Sequence, residues 1–128
     1  MSLSPHEYIR HILDEIDYIL TQISDTDFDS FLKDATLKRA FVRSLEIIGE
    51  ASKRLPEDIK AMQPDVEWRK VTGMRDKLIH DYFGVDYTIV WDVATTKLSD
   101  LREKLQAILD ATEKSQQASA PDAKSNGV

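Results

Sequence analysis

Residues 4–23 read SPHEYIRHILDEIDYILTQI, and their pattern sets the class of the fold. Ser4-Pro5-His6-Glu7 is a capping box with Pro at the first helical position. Its Ser and Glu side chains each satisfy an amide that the first turn leaves without a partner. Ile9, Ile12, Leu13, Ile16, Ile19 and Ile23 then recur three and four residues apart, which places them on one helical face. A helix over about 4–23 follows from this spacing.

The same period governs the rest of the chain. Ser24–Asp29 is rich in Asp, Ser and Thr and reads as a turn, with a short helical piece around 28–33. Leu37, Phe41, Leu45, Ile48, Ala51 and Leu55 form the apolar face of a long helix over 35–54, which Pro56 stops. Pro56 to Pro64 is a connector with room for one helical turn. A third main helix is expected over 65–82, with Trp68, Val71, Leu78 and Tyr82 on one side and Gly84 as its C-cap. Asp86 caps a last helix along which Tyr87, Val90, Ala94, Leu98, Leu101, Leu105 and Ile108 repeat. Beyond residue 112 apolar side chains vanish, so 113–128 is expected to be a disordered tail. No run shows the period of two that a strand requires. The expected fold is all-α: one domain over 1–112, an up-and-down bundle of four main helices plus short helical pieces. Leu45, Ile47 and Ile48, with Ile89, Val90 and Trp91, exceed what so small a bundle needs to bury; this excess points to a helix-mediated homodimer, and full burial of consecutive apolar residues is the alternative.

Composition narrows the function. The chain of 128 residues is 41% hydrophobic and 31% charged, in the range of a globular protein. It has no Cys, which excludes disulfides and thiolate zinc sites. No signal peptide and no membrane-length apolar run is present, so a soluble, cytoplasmic protein is expected. The net charge of −6 argues against a general nucleic-acid binder, yet the charge is segregated. Residues 1–30 hold one Arg against seven acids, whereas 31–54 hold six Lys or Arg against three acids. Residues 69–80 add Arg69, Lys70, Arg75 and Lys77 against Asp76 alone.

The second basic segment contains the candidate chemistry, RDKLIHDY at 75–82. Arg75 offers a permanently charged planar fork suited to phosphate oxygens. His80 is of the one residue type that both takes and gives protons near neutral pH. Together they suffice for phosphodiester cleavage without a metal. On one regular helix, however, His80 would sit about 140° from Arg75, whereas Tyr82 would sit about 20° away. Either the helix loosens near His80, or a second copy of the chain completes the site across a two-fold axis. A second copy would also supply a second imidazole, so that one can act as base and the other as acid. The plain alternative is an exposed ion pair near a helix end, with Tyr82 a core residue whose hydroxyl reaches the rim. His6 and His11 stand five apart, which is no metal-binding spacing on a helix. No phosphate-cradling glycine loop is present, and no cofactor is expected.

IIGEASKRLP at 47–56, Trp68, GMRDKLIHDYFGVD at 73–86 and Val90-Trp91 together resemble the HepT-like members of the HEPN superfamily. The resemblance spans most of residues 5–110. It implies an all-α homodimer that serves as the toxin of a type VII-like toxin–antitoxin pair. Its R-x4-H-x-Y motif would cleave RNA without a metal, and its partner would be an MntA-like nucleotidyltransferase antitoxin that adenylylates the motif's tyrosine. Carried over by position, Arg75 neutralises the phosphate, His80 is the general acid/base and Tyr82 the modification acceptor. The residue after the arginine is usually polar, often Asn; here it is Asp76, which can orient Arg75 or His80 but also repels phosphate. Glu50, in the GEA block, is either the counter-ion holding Arg75 across the helix pair or a simple surface acid. Two other readings stay open: a non-catalytic helical subunit that binds a nucleotidyltransferase and is modified by it, and a scaffold whose acidic first helix meets a basic partner.

Overall fold

The computed structural model describes residues 3–80 and 84–118. Helix α1 (Pro5–Ile23) begins at the expected capping box: the Ser4 hydroxyl accepts from the Glu7 amide, and the Glu7 carboxylate from the Ser4 amide. Its stripe of Ile9, Ile12, Leu13, Ile16 and Ile19 is buried. Helix α2 (Phe28–Lys33) is capped by Asp27, whose carboxylate accepts from the Ser30 amide at 2.8 Å. That bond holds the Asp27 carboxyl below its ordinary range. Helix α3 (Ala35–Lys53) starts at the Asp34 cap and lies against α1. As expected, it ends just before Pro56, which opens the single turn α4 (Glu57–Lys60).

The expected third helix over 65–82 is three pieces instead. Helices α5 (Trp68–Thr72) and α6 (Met74–Leu78) are separated by Gly73, and strand β1 (Ile79–His80) follows directly. It pairs antiparallel with β2 (Gly84–Val85), Ile79 opposite Val85 and His80 opposite Gly84. Gly84 is therefore a ladder residue and not a helix cap. The Asp86 amide donates to the Leu78 carbonyl at 2.9 Å, so the ladder takes over backbone groups that a continuing helix would have used. Apolar spacing did not reveal the break, because Val71, Met74 and Leu78 keep the helical rhythm across Gly73. Trp68 secures α5: its indole N–H is shared between the Lys60 and Gln63 carbonyls at 3.0 and 3.1 Å.

The last expected helix is also divided, into α7 (Tyr87–Thr96) and α8 (Leu98–Ala118). Asp86 caps α7 as expected, accepting from the Thr88 and Ile89 amides. The Thr95 and Thr96 hydroxyls bond back to the Trp91 and Asp92 carbonyls at 2.8 and 2.7 Å, a contact that bends helices, just before the interruption at Lys97. Helix α8 overruns the expected domain end at 112 by six residues. It is tied to α1 by Arg102 on Asp17, His6 on Thr112 and Arg10 on Glu113. The Asp17 contact raises the already high Arg102 pKa. Residues 119–128, the remainder of the expected tail, lie outside the described residues.

Among the described residues the fold is thus all-α with one two-residue ladder. The core runs along the α1, α3 and α8 seam and closes under α2 and α7 with an aromatic cluster. Phe31 stands 5.1 Å from both Phe41 and Trp91, and Trp91 stands 6.0 Å from Phe28. Much of the apolar excess on α3 and α7 is used here: Leu45, Ile48 and Val90 are buried within the protomer, while Ile89 and Trp91 pack partly against the core. Among the described residues no helix is long and apolar enough to cross a membrane.

Phe31 is fully buried at the meeting point of three helices, and α2 has no other buried side chain. Phe31→Ala should cost about 3–5 kcal/mol. Against a total of roughly 5–15 kcal/mol, the midpoint of urea unfolding should fall sharply.

Candidate active site

Arg75 sits one residue into α6, where Gly73 and the close packing of α5 on α3 decide its position. Gly49 lies inside α3, about one turn before its C-terminal end, although glycine costs a helix interior about 1 kcal/mol relative to alanine. A Cβ on Gly49 would lie 3.2 Å from the Val71 carbonyl oxygen and 3.8 Å from the Met74 Cβ. The missing methyl therefore lets α5 and α6 approach the α3 backbone.

That approach sets Arg75 beside Glu46. The Arg75 Nε donates to Glu46 Oε2 at 3.4 Å; Arg75 is 67% exposed and Glu46 only 27%. The pair uses Nε and leaves both terminal amino groups of the guanidinium free of Glu46. Glu50, the expected counter-ion of Arg75, sits one turn further along α3 and faces Lys53 and Arg54 instead, at 3.8 and 4.0 Å. The physical reason is the level at which α6 crosses α3, which no charge pattern along a single helix encodes.

Arg75, Glu46 and Glu50 all border one open groove of about 630 Å³. Its floor is the exposed stripe of α3. One wall is Tyr8 and His11 of α1, and the other is Thr72 and Arg75 at the α5–α6 junction. Arg43, Lys53, Arg54 and Arg75 bring four cations to it against the two carboxylates of Glu46 and Glu50. In a chain of net charge −6, this face carries a local excess of positive charge. Asp76 is exposed on α6 and does not line the groove.

His80 is located by its backbone in β1, where it pairs with Gly84. The helix ends at Leu78, so the 140° offset of a regular helix does not apply to Arg75 and His80. Tyr82 lies outside the described residues. Sequence reasoning missed Arg43, Glu46, His11 and Tyr8 as neighbours of Arg75. For the α3 residues a signal was available: Arg43, Glu46, Glu50 and Arg54 recur at steps of three and four, opposite the apolar face. For Tyr8 and His11 none was, since only the packing of α1 on α3 brings them there.

A groove with an exposed guanidinium and a basic floor suits a polyanion. The family model described as "Ribonuclease HepT-like" matches residues 9–108 of this chain. A protein of Caldanaerobacter subterraneus subsp. tengcongensis named "Putative RNase" is 44% identical over 106 residues, covering 83% of this chain and 95% of its own. One of the same description from Methanocaldococcus jannaschii is 43% identical over 104 residues, 80% of this chain and 86% of its own. A "Probable ribonuclease HepT" of Thermococcus cleftensis is 39% identical over 108 residues, 84% of this chain and 98% of its own. No solved structure matches the chain closely enough to enter the comparison. With a family match across most of its length and relatives aligned almost end to end, the chain belongs to the HepT-like ribonuclease family.

Proposed function

We propose that the protein is a metal-independent endoribonuclease in which Arg75 grips the scissile phosphate and His80 transfers protons. The observation that carries this reading is Arg75 itself: exposed, bonded at Nε to Glu46, and set in the basic groove of a chain whose family is described as ribonucleases. In the reaction an imidazole takes the proton of a ribose 2′-hydroxyl. The 2′-oxygen attacks the adjacent phosphorus, and the bond to the 5′-oxygen breaks as that oxygen receives a proton. The products are a 2′,3′-cyclic phosphate and a 5′-hydroxyl. Charge accumulates on the non-bridging oxygens as the 2′-oxygen bonds to phosphorus, and a preorganised guanidinium stabilises that state most.

One His80 can serve as base while a second, from another copy of the chain, serves as acid, which is the reason for reading the active form as a homodimer. The family resemblance extends the reading to a cytoplasmic toxin of a toxin–antitoxin pair. An MntA-like nucleotidyltransferase partner would silence it by adenylylating Tyr82. The attached phosphate would compete for the Arg75 fork, so modification and substrate binding would exclude each other. Asp76 would then act by orienting its neighbours, at some cost in phosphate repulsion.

Arg75→Ala and His80→Ala should each lower kcat/KM on an unstructured RNA by about 10²–10⁴-fold, with circular dichroism unchanged and chelator without effect on the wild type. Full activity in either folded variant would defeat the assignment. Glu46→Ala should reduce kcat roughly ten- to a hundredfold by freeing the guanidinium, whereas Glu46→Gln, which keeps an acceptor for Nε, should retain most of it. A rise in activity in Glu46→Ala would instead make Glu46 a competitor of the phosphate. After co-expression with the nucleotidyltransferase, intact mass should increase by one adenylyl group, and Tyr82→Phe should abolish the increase.

A further inference from the structure

The groove extends well past Arg75, and its floor has a spacing that the single scissile phosphate does not use. Arg43 lies on α3, and Arg54, its C-cap, follows eleven residues later in right-handed helical conformation. On a helix this puts them about 20° apart around the axis and roughly 16 Å apart along it. They therefore project along one line, both exposed. Glu46, which meets Arg75, lies between their levels along the axis but about 60–80° around it, so the guanidinium of α6 enters the groove from its side, nearer Arg43 than Arg54. Three fork-shaped cations spread over roughly 16 Å of one groove match a polyanionic strand better than a compact anion. Glu50 tethers Arg54 only loosely, at 4.0 Å, and that contact can give way to phosphate.

Resting on the ribonuclease reading above, we propose that this groove binds a single-stranded RNA segment, with Arg43 and Arg54 holding the phosphates that flank the one at Arg75. Two features favour a single strand. The groove is walled by α1 on one side and the α5–α6 junction on the other, and Tyr8 on the α1 wall supplies an aromatic beside the cationic floor. A positive groove bordered by aromatics is how single strands are held without sequence readout, whereas A-form duplexes are read across a wide, shallow groove. The chemistry agrees: attack by a 2′-oxygen needs the leaving oxygen in line behind phosphorus, a geometry that a regular duplex prevents and a flexible strand reaches.

The test uses the full chain carrying His80→Ala to prevent cleavage, and measures binding of a fluorescein-labelled oligouridine and of an RNA duplex of equal length across a salt series. Arg43→Glu with Arg54→Glu should weaken oligouridine binding at least about tenfold at low salt and flatten the salt slope by about 1.4, the share of two phosphate contacts on a single strand. In the otherwise native enzyme the same pair should raise KM and leave kcat near its value. Lys77→Glu with Lys97→Glu makes the same charge change at another cavity, between α5–α6 and α7–α8, and should alter binding less than twofold. If the double Glu variant fails to fold, Arg43→Gln with Arg54→Gln serves in its place.

Equal weakening by both pairs would overturn the proposal, as would an unchanged salt slope or a duplex bound as tightly as the oligouridine. Loss of self-association in the Arg43/Arg54 variant with RNA affinity intact would also overturn it, by assigning the groove to a second copy of the chain. Wild-type cleavage by Arg75→Ala would defeat the assignment of Arg75 on which the inference rests. Loss of cleavage there, with unchanged binding in the Arg43/Arg54 variant, would defeat the groove inference alone.

Discussion

The close approach at Gly49 governs the layout of the candidate site. Helix α3 carries both the hydrophobic stripe that meets α1 and the polar stripe that floors the groove, so whatever packs on its flank decides what the groove contains. At Gly49 that flank is backbone against backbone, with the Val71 carbonyl too near for a methyl group to enter without displacement. A helix that admits glycine before its end gives up about 1 kcal/mol of propensity. In return α6 comes close enough for Arg75 to reach Glu46. With a larger residue at 49, α5 and α6 would ride outward and the guanidinium would lose the carboxylate that orients it.

Electrostatics then gives the groove a selectivity that the net charge conceals. The acids of α1 and α2 face away or are occupied: Asp17 on Arg102, Asp27 on its own helix start. Arg43, Lys53, Arg54 and Arg75 converge on one face, where the two carboxylates of Glu46 and Glu50 do not cancel four cations. Such a face draws in a polyanion at short range, while the acidic remainder of the surface repels it. The ion pairs in the groove are long and largely exposed, so each stabilises the fold little, and their replacement by phosphate costs correspondingly little.

Helix α1, its capping box, α2, α3 and the Asp86 cap were all legible in the sequence, because each depends on residues within three or four positions of one another. The two interruptions were not. The apolar rhythm through Val71, Met74 and Leu78, and again through Ala94, Leu98 and Leu101, continues straight across breaks caused by a glycine and by threonine hydroxyls bonding back to the chain. Near the end of the described chain, Thr112 and Glu113 are polar and leave no apolar signal, yet they meet His6 and Arg10 more than a hundred residues away.

The sequence by itself determined that the chain is helical, that its acids and bases are segregated, and that Arg75, His80 and Tyr82 stand within one stretch of eight residues, since spacing and composition are local and survive without coordinates. Only the tertiary structure decided that Glu46 and not Glu50 faces Arg75, that His80 follows a helix end in a short ladder, and that Tyr8, His11, Arg43 and Arg54 border the same groove as Arg75. Those relations depend on the level at which separate helices cross, which is set by side-chain volume and backbone contact at the crossing and leaves no periodic trace along the chain.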